Sequence, residues 1–394
     1  MKVLVLFTDM IRANRLSLFN ENFSHVTPLD QSLKKIGGTA YTNCFTQGPD
    51  TPRGISSVLT GKSPFFNGCD VRLKWPRFFL DPSLKTIFDL FKENNFKIDI
   101  LSDPRERAIG IFPEDIASFY EDDNTYDIDS FFKNLIIEND HFIFLCLPQF
   151  HWTLDAYGAS LNGEKNAHLD ISNTIDKVFN YVDKDTFDHI FIFSDHGFKF
   201  THEIRTEPEH LLLNSDRTNT IMMHREKFQN NLAYSNKLCS ITDLYPTFQE
   251  ILGTSANSDS ISLFSKKEHE YVVIEDHINF MPSVNQNIEL WSLVTPSHIY
   301  IRQLDKAHII NRNNNIIESS VIVEYDQILE RESSYGKYKN EFEKVFVYSK
   351  NLQLVIGTNF DKLYDFRRNK RSPAISYIFK VKDLIVNFII KLFS

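Results

Sequence analysis

The chain has 394 residues, of which 42% are hydrophobic and 35 are Phe, so it can bury a core in one large domain or in a large and a small one. Its formal net charge of -9 argues against broad nucleic-acid binding, and an anionic substrate would need positive charge concentrated locally. The cysteine spacing fits neither a zinc ribbon nor a CxxC redox pair, and we expect reduced, buried thiols at Cys44, Cys69, Cys146 and Cys239.

From the N-terminus to about residue 252, short apolar runs alternate with amphipathic stretches. The first run, residues 3–7, is too short for a signal peptide, and no run reaches the roughly 18 apolar residues of a membrane-spanning helix, so we expect a cytoplasmic protein. Strands are predicted at residues 3–7, 97–101, 142–147, 189–194 and 219–223, and helices at 29–36, 84–94, 128–137, 167–182 and 242–252. This alternation predicts an α/β fold with a mostly parallel sheet sandwiched by helices.

The pattern changes after residue 265. Strands are predicted there at residues 271–275, 290–303, 320–325, 345–348 and 352–356, with only a short helical stretch, which favours a smaller antiparallel subdomain. Residues 253–265, rich in Gly, Ser, Asn and Asp, form the predicted linker. The expected division is a catalytic core over residues 1–255, a strand-rich subdomain over 265–366 that completes the site, and a tail over 367–394.

The tail joins a basic cluster at residues 367–371 to an amphipathic helix pattern over residues 374–394. The apolar residues that share one helical face are Ile378, Val381, Ile385, Ile389 and Leu392. Two interpretations stay open at this point. The helix packs on the protein core, or it lies on an anionic membrane surface next to its basic anchor.

Two of the predicted strands end in residues that bind metal ions. Asp9 follows the first strand, and Asp195, His196 and Gly197 follow the strand at 189–194. Parallel α/β sheets place ligand-binding groups at the carboxyl ends of their strands, and a buried carboxylate needs a partner such as a cation. Each motif alone is a weak signal.

A third motif surrounds Thr51. Thr51 is a good N-cap and Pro52 a good first helical residue, so a helix beginning there would direct its free N–H groups at the Thr51 hydroxyl. Arg53 in the first turn could grip the same anion. Together with Asp9, Asp195 and His196, the hydroxyl would contact one divalent cation, an arrangement that suits attack on a tetrahedral oxyanion ester.

These motifs resemble those of the alkaline phosphatase superfamily, in its sulfatase-like branch. Residues 9–13 resemble its N-terminal metal-binding segment, 51–61 its nucleophile helix with the closing Leu-Thr-Gly, and 194–197 its second metal segment. Residues 241–248 and 251–253 are similar to a structural helix of sulfatases, and the Leu-Tyr-Asp of 363–365 to a segment near their C-terminal end. The resemblance implies an alkaline-phosphatase-like fold and a metal bound by Asp9, Thr51, Asp195 and His196.

The nucleophile position differs from that of most sulfatases. They carry a Cys or Ser that matures to formylglycine, with Pro two residues on and Arg four residues on, whereas Pro52 and Arg53 directly follow Thr51. Threonine cannot form that aldehyde, and Met10 stands where sulfatases usually have a second Asp. Both differences resemble the phosphoethanolamine and phosphoglycerol transferases and the phosphodiesterases of the superfamily, which form a phospho-threonine intermediate.

Further candidate residues follow the strand at 142–147. His151 lies in a segment similar to the His-containing segment that these enzymes place against the substrate, and it could protonate the leaving group. Asp155 could bind the substrate or a second metal ion, and His202 could contact the substrate or the metal. Zn²⁺ and Mn²⁺ suit the predicted ligands best, Ca²⁺ and Mg²⁺ are compatible, and one metal site is favoured over two.

The leading hypothesis is a metal-dependent phosphodiesterase or phosphotransferase that moves a substituted phosphate, with a glycan or glycolipid as a candidate acceptor. The alternatives are a sulfate-ester hydrolase and a non-catalytic metal-binding relative. The expected partner is an anionic ester, lipid-linked or carried on a glycan, and not a nucleic acid. Membrane contact through residues 374–394 would place the protein at the inner membrane surface.

Overall fold

A computed structural model describes residues 1–69, 80–102, 112, 118–119, 126–206, 208–254, 261–278, 288–303, 307–311 and 319–338. Several predictions fall outside these residues: the strands at 345–348 and 352–356, the Leu-Tyr-Asp segment, the basic cluster and the C-terminal amphipathic helix. Within the described part of the chain, no helix is long and apolar enough to cross a membrane.

An eight-stranded sheet forms the centre of the fold, in the order β5-β4-β6-β1-β7-β8-β2-β9. β1 pairs in parallel with β6 and β7, and only β8 runs antiparallel to its neighbours among the described strands of this sheet. A short separate pair joins β3 and β10. The strands are β1 (Lys2–Thr8), β2 (Gly38–Tyr41), β3 (Cys44–Phe45), β4 (Lys97–Leu101), β5 (Ser118–Phe119), β6 (His141–Leu147), β7 (His189–Ser194), β8 (Met222–Glu226), β9 (Leu232–Ser235) and β10 (Cys239–Ser240).

Helices cover both faces of this sheet. Alternate residues of β1 enter two different apolar clusters, Leu4 and Leu6 in one and Val3, Val5 and Phe7 in the other, so neither face is exposed to water. The helices are α1 (Pro28–Ile36), α2 (Thr51–Thr60), α3 (Pro64–Asn67), α4 (Ile87–Glu93), α5 (Ile128–Asn134), α6 (Gln149–Tyr157), α7 (Leu161–Tyr181), α8 (Thr201–Thr206), α9 (Ser215–Thr218) and α10 (Leu244–Ile251). The predicted helix-sandwiched, mostly parallel sheet is confirmed, and the four cysteines are buried and not disulfide-bonded.

A four-stranded antiparallel sheet follows the core, in the order β11 (Val272–Ile278), β12 (Ile288–Val294), β13 (His298–Arg302) and β14 (Ala307–Asn311). The prediction of a strand at 320–325 is wrong, because these residues belong to the helix α11 (Ser319–Glu332), which precedes α12 (Ser334–Tyr338). The β-branched run Val321-Ile322-Val323 favoured a strand. The helix forms instead of a strand because helical spacing places Ile322, Tyr325, Ile328 and Leu329 in one apolar cluster with the antiparallel sheet.

Several predicted boundaries also shift. The strand predicted at 219–223 is β8, which begins only at Met222, because Asn219 and Thr220 make isolated bridges to Phe45 and Arg12 instead. The helix predicted at 128–137 ends at Asn134, and the one predicted at 167–182 begins earlier, at Leu161 behind the N-cap Ser160. The division of the chain at residues 255 and 265 stays a prediction.

Candidate active site and metal centre

The two predicted metal-binding segments leave the sheet side by side. β1 and β7 are parallel neighbours, and Thr8 is aligned with Ser194, so Asp9 and Asp195 occupy equivalent positions just past the ends of their strands. The Thr8 hydroxyl donates to the Phe193 carbonyl at 3.0 Å. Met10 has φ 66, a left-handed conformation that is uncommon for a residue with a side chain, and it turns the chain sharply after Asp9. Strand register therefore brings the two carboxylates together.

The helix that begins at Thr51, α2, approaches this sheet edge very closely. Its N-cap is Asp50 and not Thr51 as predicted, because the Asp50 carboxylate accepts a hydrogen bond from the Arg53 N–H at 3.1 Å and Thr51 is already helical. A methyl group on Gly54 would lie 2.9 Å from Asp195 Cβ. Only glycine lets α2 pack this tightly against the end of β7. The packing brings Thr51 to the ends of both strands.

Asp9, Asp195 and His196 form a candidate metal centre, because one ligand atom from each lies within 4.8 Å of the others. All three side chains are buried. His196 Nδ1 lies 2.7 Å from the Gly197 carbonyl oxygen. A carbonyl only accepts hydrogen bonds, so Nδ1 carries the proton and Nε2 of the neutral ring keeps a lone pair for a metal ion. Burial lowers the pKa of His196 and favours that neutral ring.

The charges around Asp195 match a cation. Its Oδ1 accepts from the backbone N–H of His196 at 2.9 Å, whereas its buried Oδ2 receives no hydrogen bond from the described residues. Burial and the charge of Asp9 raise the pKa of Asp195 well above its usual range. Two buried carboxylates and one imidazole lone pair fit a divalent cation such as Zn²⁺ or Mn²⁺, which would neutralise both acids.

The Thr51 hydroxyl lies against this centre. Its Oγ1 is 3.3 Å from Asp9 Oδ1 and 3.4 Å from His196 Nε2. Thr51 is also the first residue of α2, where the positive end of the helix dipole favours an anion. The three predicted segments thus converge on one point where a hydroxyl, two acids and an imidazole meet.

His151 extends the cluster from the third neighbouring strand, since α6 begins directly after β6. Its Nδ1 lies 2.5 Å from Asp9 Oδ2, and its Nε2 lies 3.6 Å from Asp155 Oδ1. Burial lowers the pKa of His151, but the carboxylates of Asp9 and Asp155 outweigh it and raise the pKa to about 10. His151 can therefore hold a proton beside Asp9. Asp155 is largely exposed, at 61% of its side chain.

Arg53 is buried, and its guanidinium is bonded to groups outside this cluster. Its guanidinium donates from Nε and Nη2 to the Asp50 carboxylate, from Nη2 to Asp276 Oδ1 at 3.0 Å, and from Nη1 to the Glu275 carbonyl at 3.0 Å. The predicted grip of Arg53 on a substrate anion stays a prediction. His202 lies at an exposed position of α8, with its ring stacked on Phe200.

No model of a known protein family matches this chain, and no curated protein matches it. Solved structures do. A 2-O GAG sulfatase is 13% identical, with a TM-score of 0.63 over 87% of this chain and 94% of that one. The phosphonate monoester hydrolase of Silicibacter pomeroyi is 12% identical, with a TM-score of 0.59 over 84% of this chain and 94% of its own. A protein in the alkaline phosphatase superfamily from Vibrio parahaemolyticus is 14% identical, with a TM-score of 0.57 over 82% of this chain and 83% of its own.

At these identities the comparisons establish the fold. The chain has the alkaline-phosphatase-like fold that sulfatases and phosphonate monoester hydrolases share, as its motifs predicted.

Three residues near the site were missed by sequence reasoning. Asp50 could have been found, because an acidic residue before Thr-Pro is as good an N-cap as Thr51. The sequence signal for Asp276 is weaker: it stands next to Glu275, and two adjacent acidic residues are unusual inside an apolar strand. Arg217 gave none, because its contacts depend on how α9 packs beside β11.

Proposed function

We propose that this protein is a metal-dependent enzyme that breaks phosphate or sulfate ester bonds, with Thr51 as its nucleophile. The observation that carries the proposal is the position of the Thr51 hydroxyl, 3.3 Å from Asp9 Oδ1 and 3.4 Å from His196 Nε2 at the N-terminus of α2. A threonine with a purely structural role in the first turn of a helix needs no buried acids and no imidazole lone pair beside it. The shared fold with sulfatases and phosphonate monoester hydrolases agrees with ester chemistry.

Asp9, Asp195 and His196 would hold the cation, next to the Thr51 hydroxyl. Such an ion, when bound, lowers the pKa of a neighbouring hydroxyl and withdraws charge from the ester oxygens. Asp9 orients the hydroxyl by accepting its hydrogen bond. The positive end of the α2 dipole, at Thr51, favours the negative charge that develops on the ester oxygens.

The reaction proceeds in two displacements. A bond forms from Thr51 Oγ1 to phosphorus or sulfur while the bond to the leaving oxygen breaks, and the hydroxyl proton is released. The charged His151 ring carries a proton on both nitrogens, so it keeps the Nδ1 proton beside Asp9 and donates the Nε2 proton to the leaving oxygen. Water or an acceptor hydroxyl then attacks the same centre, passes its proton to His151 Nε2 and frees Thr51, which regains a proton from solvent.

Phosphoryl transfer through a phospho-threonine is our first candidate, because Thr51 cannot mature to the aldehyde of sulfatases. Sulfate-ester hydrolysis is the second candidate, because several of the structures with this fold are sulfatases. A glycan or glycolipid acceptor and a membrane-bound tail belong to the first candidate as extensions of it, and they rest on residues 367–394.

The test is intact-protein mass spectrometry after brief incubation of Zn²⁺-loaded or Mn²⁺-loaded protein with bis(4-nitrophenyl) phosphate, 4-nitrophenyl phosphate, an aryl phosphonate and 4-nitrophenyl sulfate. We expect an adduct on the wild-type protein that is absent in Thr51→Ala and located at residue 51 by peptide fragmentation. The substrate that gives it separates the two candidates. Turnover that survives in Thr51→Ala would refute Thr51 as the nucleophile.

A further inference from the structure

β11, the first strand of the antiparallel sheet, carries a buried carboxylate, Asp276, close to the turn that precedes α2. This turn, residues 47–51, is called the nucleophile turn below. We propose that Asp276 on β11 is a positioning residue that fixes the nucleophile turn through Arg53 and Arg217. The proposal rests on the function assigned to Thr51 above, and it adds a residue that never touches the substrate.

Asp276 is paired with two arginines at once. Its Oδ1 accepts a hydrogen bond from Arg53 Nη2 at 3.0 Å, and its Oδ2 accepts one from Arg217 Nη1. Its side chain is only 1% exposed, and those of Arg53 and Arg217 are 5% and 15% exposed. A carboxylate so deeply buried is tolerated because both oxygens meet a guanidinium, and such charge-assisted bonds are stronger and more directional than neutral ones.

Both arginines continue from Asp276 to the nucleophile turn. Arg53 binds the carboxylate of Asp50, the N-cap of α2, and Arg217 Nη2 donates to the Pro49 carbonyl at 3.2 Å. The two residues that precede Thr51 are therefore each held by one arginine. Asp276 fixes both arginines with one planar group, so its two oxygens set the distance between the two guanidinium groups. The side chains of Arg53 and Arg217 are called the two arms below.

The backbone of β11 adds a third connection. The Glu275 N–H donates to the Gln47 carbonyl at 2.9 Å, and the Glu275 carbonyl accepts from Arg53 Nη1 at 3.0 Å. The turn is thus attached to β11 at its start and through both arms. A substitution of Asp276 would leave the hydrogen bond between Glu275 and Gln47 in place. It would remove only the group that aligns Arg53 and Arg217.

Asparagine at position 276 keeps the shape and removes the charge. Its amide NH₂ would face one of the two arginine donors, so that arginine must detach, and the carboxylate charge that both guanidinium groups share is lost. The Thr51 hydroxyl would then sample positions away from Asp9 and His196. Misplacement of a reacting group by about 1 Å can reduce a rate roughly 100-fold, so we expect kcat to fall by about 10-fold to 100-fold with KM unchanged.

A purely structural role predicts something different, and a matched pair separates the two. Asp185, which lies before β7 at the end of the strand away from Asp195, accepts from Arg225 Nη2, and the Arg225 side chain is 1% exposed. Asp185→Asn therefore removes the carboxylate partner of another buried arginine at a distance from the site, although the Asp185 side chain is 30% exposed. It should lower stability without any effect on kcat.

The experiment compares wild type, Asp276→Asn and Asp185→Asn by hydrogen–deuterium exchange, Mn²⁺ titration and steady-state kinetics on the aryl ester panel. In Asp276→Asn we expect faster hydrogen–deuterium exchange confined to residues 46–56, an unchanged Mn²⁺ affinity, and the decrease in kcat given above. Unchanged exchange at 46–56, or an equal change there in Asp185→Asn, would overturn the proposal. The exchange result decides even if no panel ester is turned over, which would count against the proposed function alone.

If Asp276→Asn does not fold, Arg217→Lys replaces it. Lysine keeps the charge but cannot donate to Asp276 and to the Pro49 carbonyl in the fixed fork of arginine. Faster exchange over residues 46–56 supports the proposal, and wild-type exchange there overturns it.

Discussion

Gly54→Ala tests the close packing on which the whole site depends. An added Cβ would lie 2.9 Å from Asp195 Cβ and 3.0 Å from the Asp195 carbonyl oxygen. Carbon atoms in contact normally stay about 3.5 to 4.0 Å apart, so α2 and the end of β7 must separate by roughly 0.5 to 1 Å. The atoms in the way belong to a backbone and a Cβ, and no flexible side chain can move aside to absorb the change.

Two consequences follow from this separation. Overpacking of a tight contact costs about 1 to 3 kcal/mol of unfolding free energy. The same movement carries the Thr51 hydroxyl away from Asp9 and displaces Asp195, so we expect kcat to fall by roughly 100-fold and the affinity for Zn²⁺ or Mn²⁺ to weaken by about 10-fold or more.

The assay is calorimetric titration of chelator-treated protein with Mn²⁺, alongside thermal unfolding and kinetics. Gly253→Ala is the control, because Gly253 has φ +67 and no atom within 4 Å of an added Cβ. That variant should lose about 1 kcal/mol through backbone strain and keep its metal affinity. Wild-type metal affinity and kcat in Gly54→Ala would refute the reasoning.

Three further predictions address single groups. In Asp195→Asn, removal of a charge that faces Asp9 should raise the stability of the metal-free protein, while the increase in Tm on adding Mn²⁺ should disappear; an unchanged Mn²⁺ response in thermal unfolding would exclude Asp195 as a ligand. In His151→Gln, kcat/KM should fall by about 100-fold or more for alkyl leaving groups and little for 4-nitrophenyl leaving groups, and an equal loss across the series would contradict its role as the acid. Burial lowers the pKa of His168 to about 3, so this histidine contributes its full stability above pH 6.5 and loses it as the pH falls. At pH 5 the loss is about 2 kcal/mol relative to pH 8. Chemical denaturation at both pH values measures the free energy of unfolding, and its difference between pH 8 and pH 5 should be smaller by about that amount in His168→Phe. An equal difference in wild type and His168→Phe would contradict the reasoning.

The sequence was sufficient for the parts of the site that depend on strand ends. Asp9 and Asp195 could be placed together because each follows an apolar run, and the carboxyl ends of adjacent parallel strands meet at one edge of a sheet. The helix at Thr51 could be predicted because Thr-Pro is a strong N-terminal signal, with an error of one residue in its cap. These features are local, and local patterns carry them.

The hydrogen-bond partners of Arg53 could not be predicted in this way. In the sequence it stands two residues after the nucleophile, where a basic side chain is naturally assigned to the substrate. Its actual partners, Asp50 and Asp276, are three and 223 positions away, and the second of these depends on how the antiparallel sheet docks. The helix at 319–332 was missed for a related reason, because a β-branched run outweighed a packing face that exists only beside the second sheet.

The commitment of Arg53 to Asp50 and Asp276 changes the source of positive charge in the proposed mechanism. An acidic protein must still attract an anionic ester, and the cluster around Asp9 and Thr51 contains two carboxylates, a neutral His196 and a charged His151. In the proposed mechanism the cation would supply most of the attraction, together with the positive end of the α2 dipole and His151. A bound cation would then have two roles: it would neutralise Asp9 and Asp195, and it would convert a site that repels anions into one that receives them.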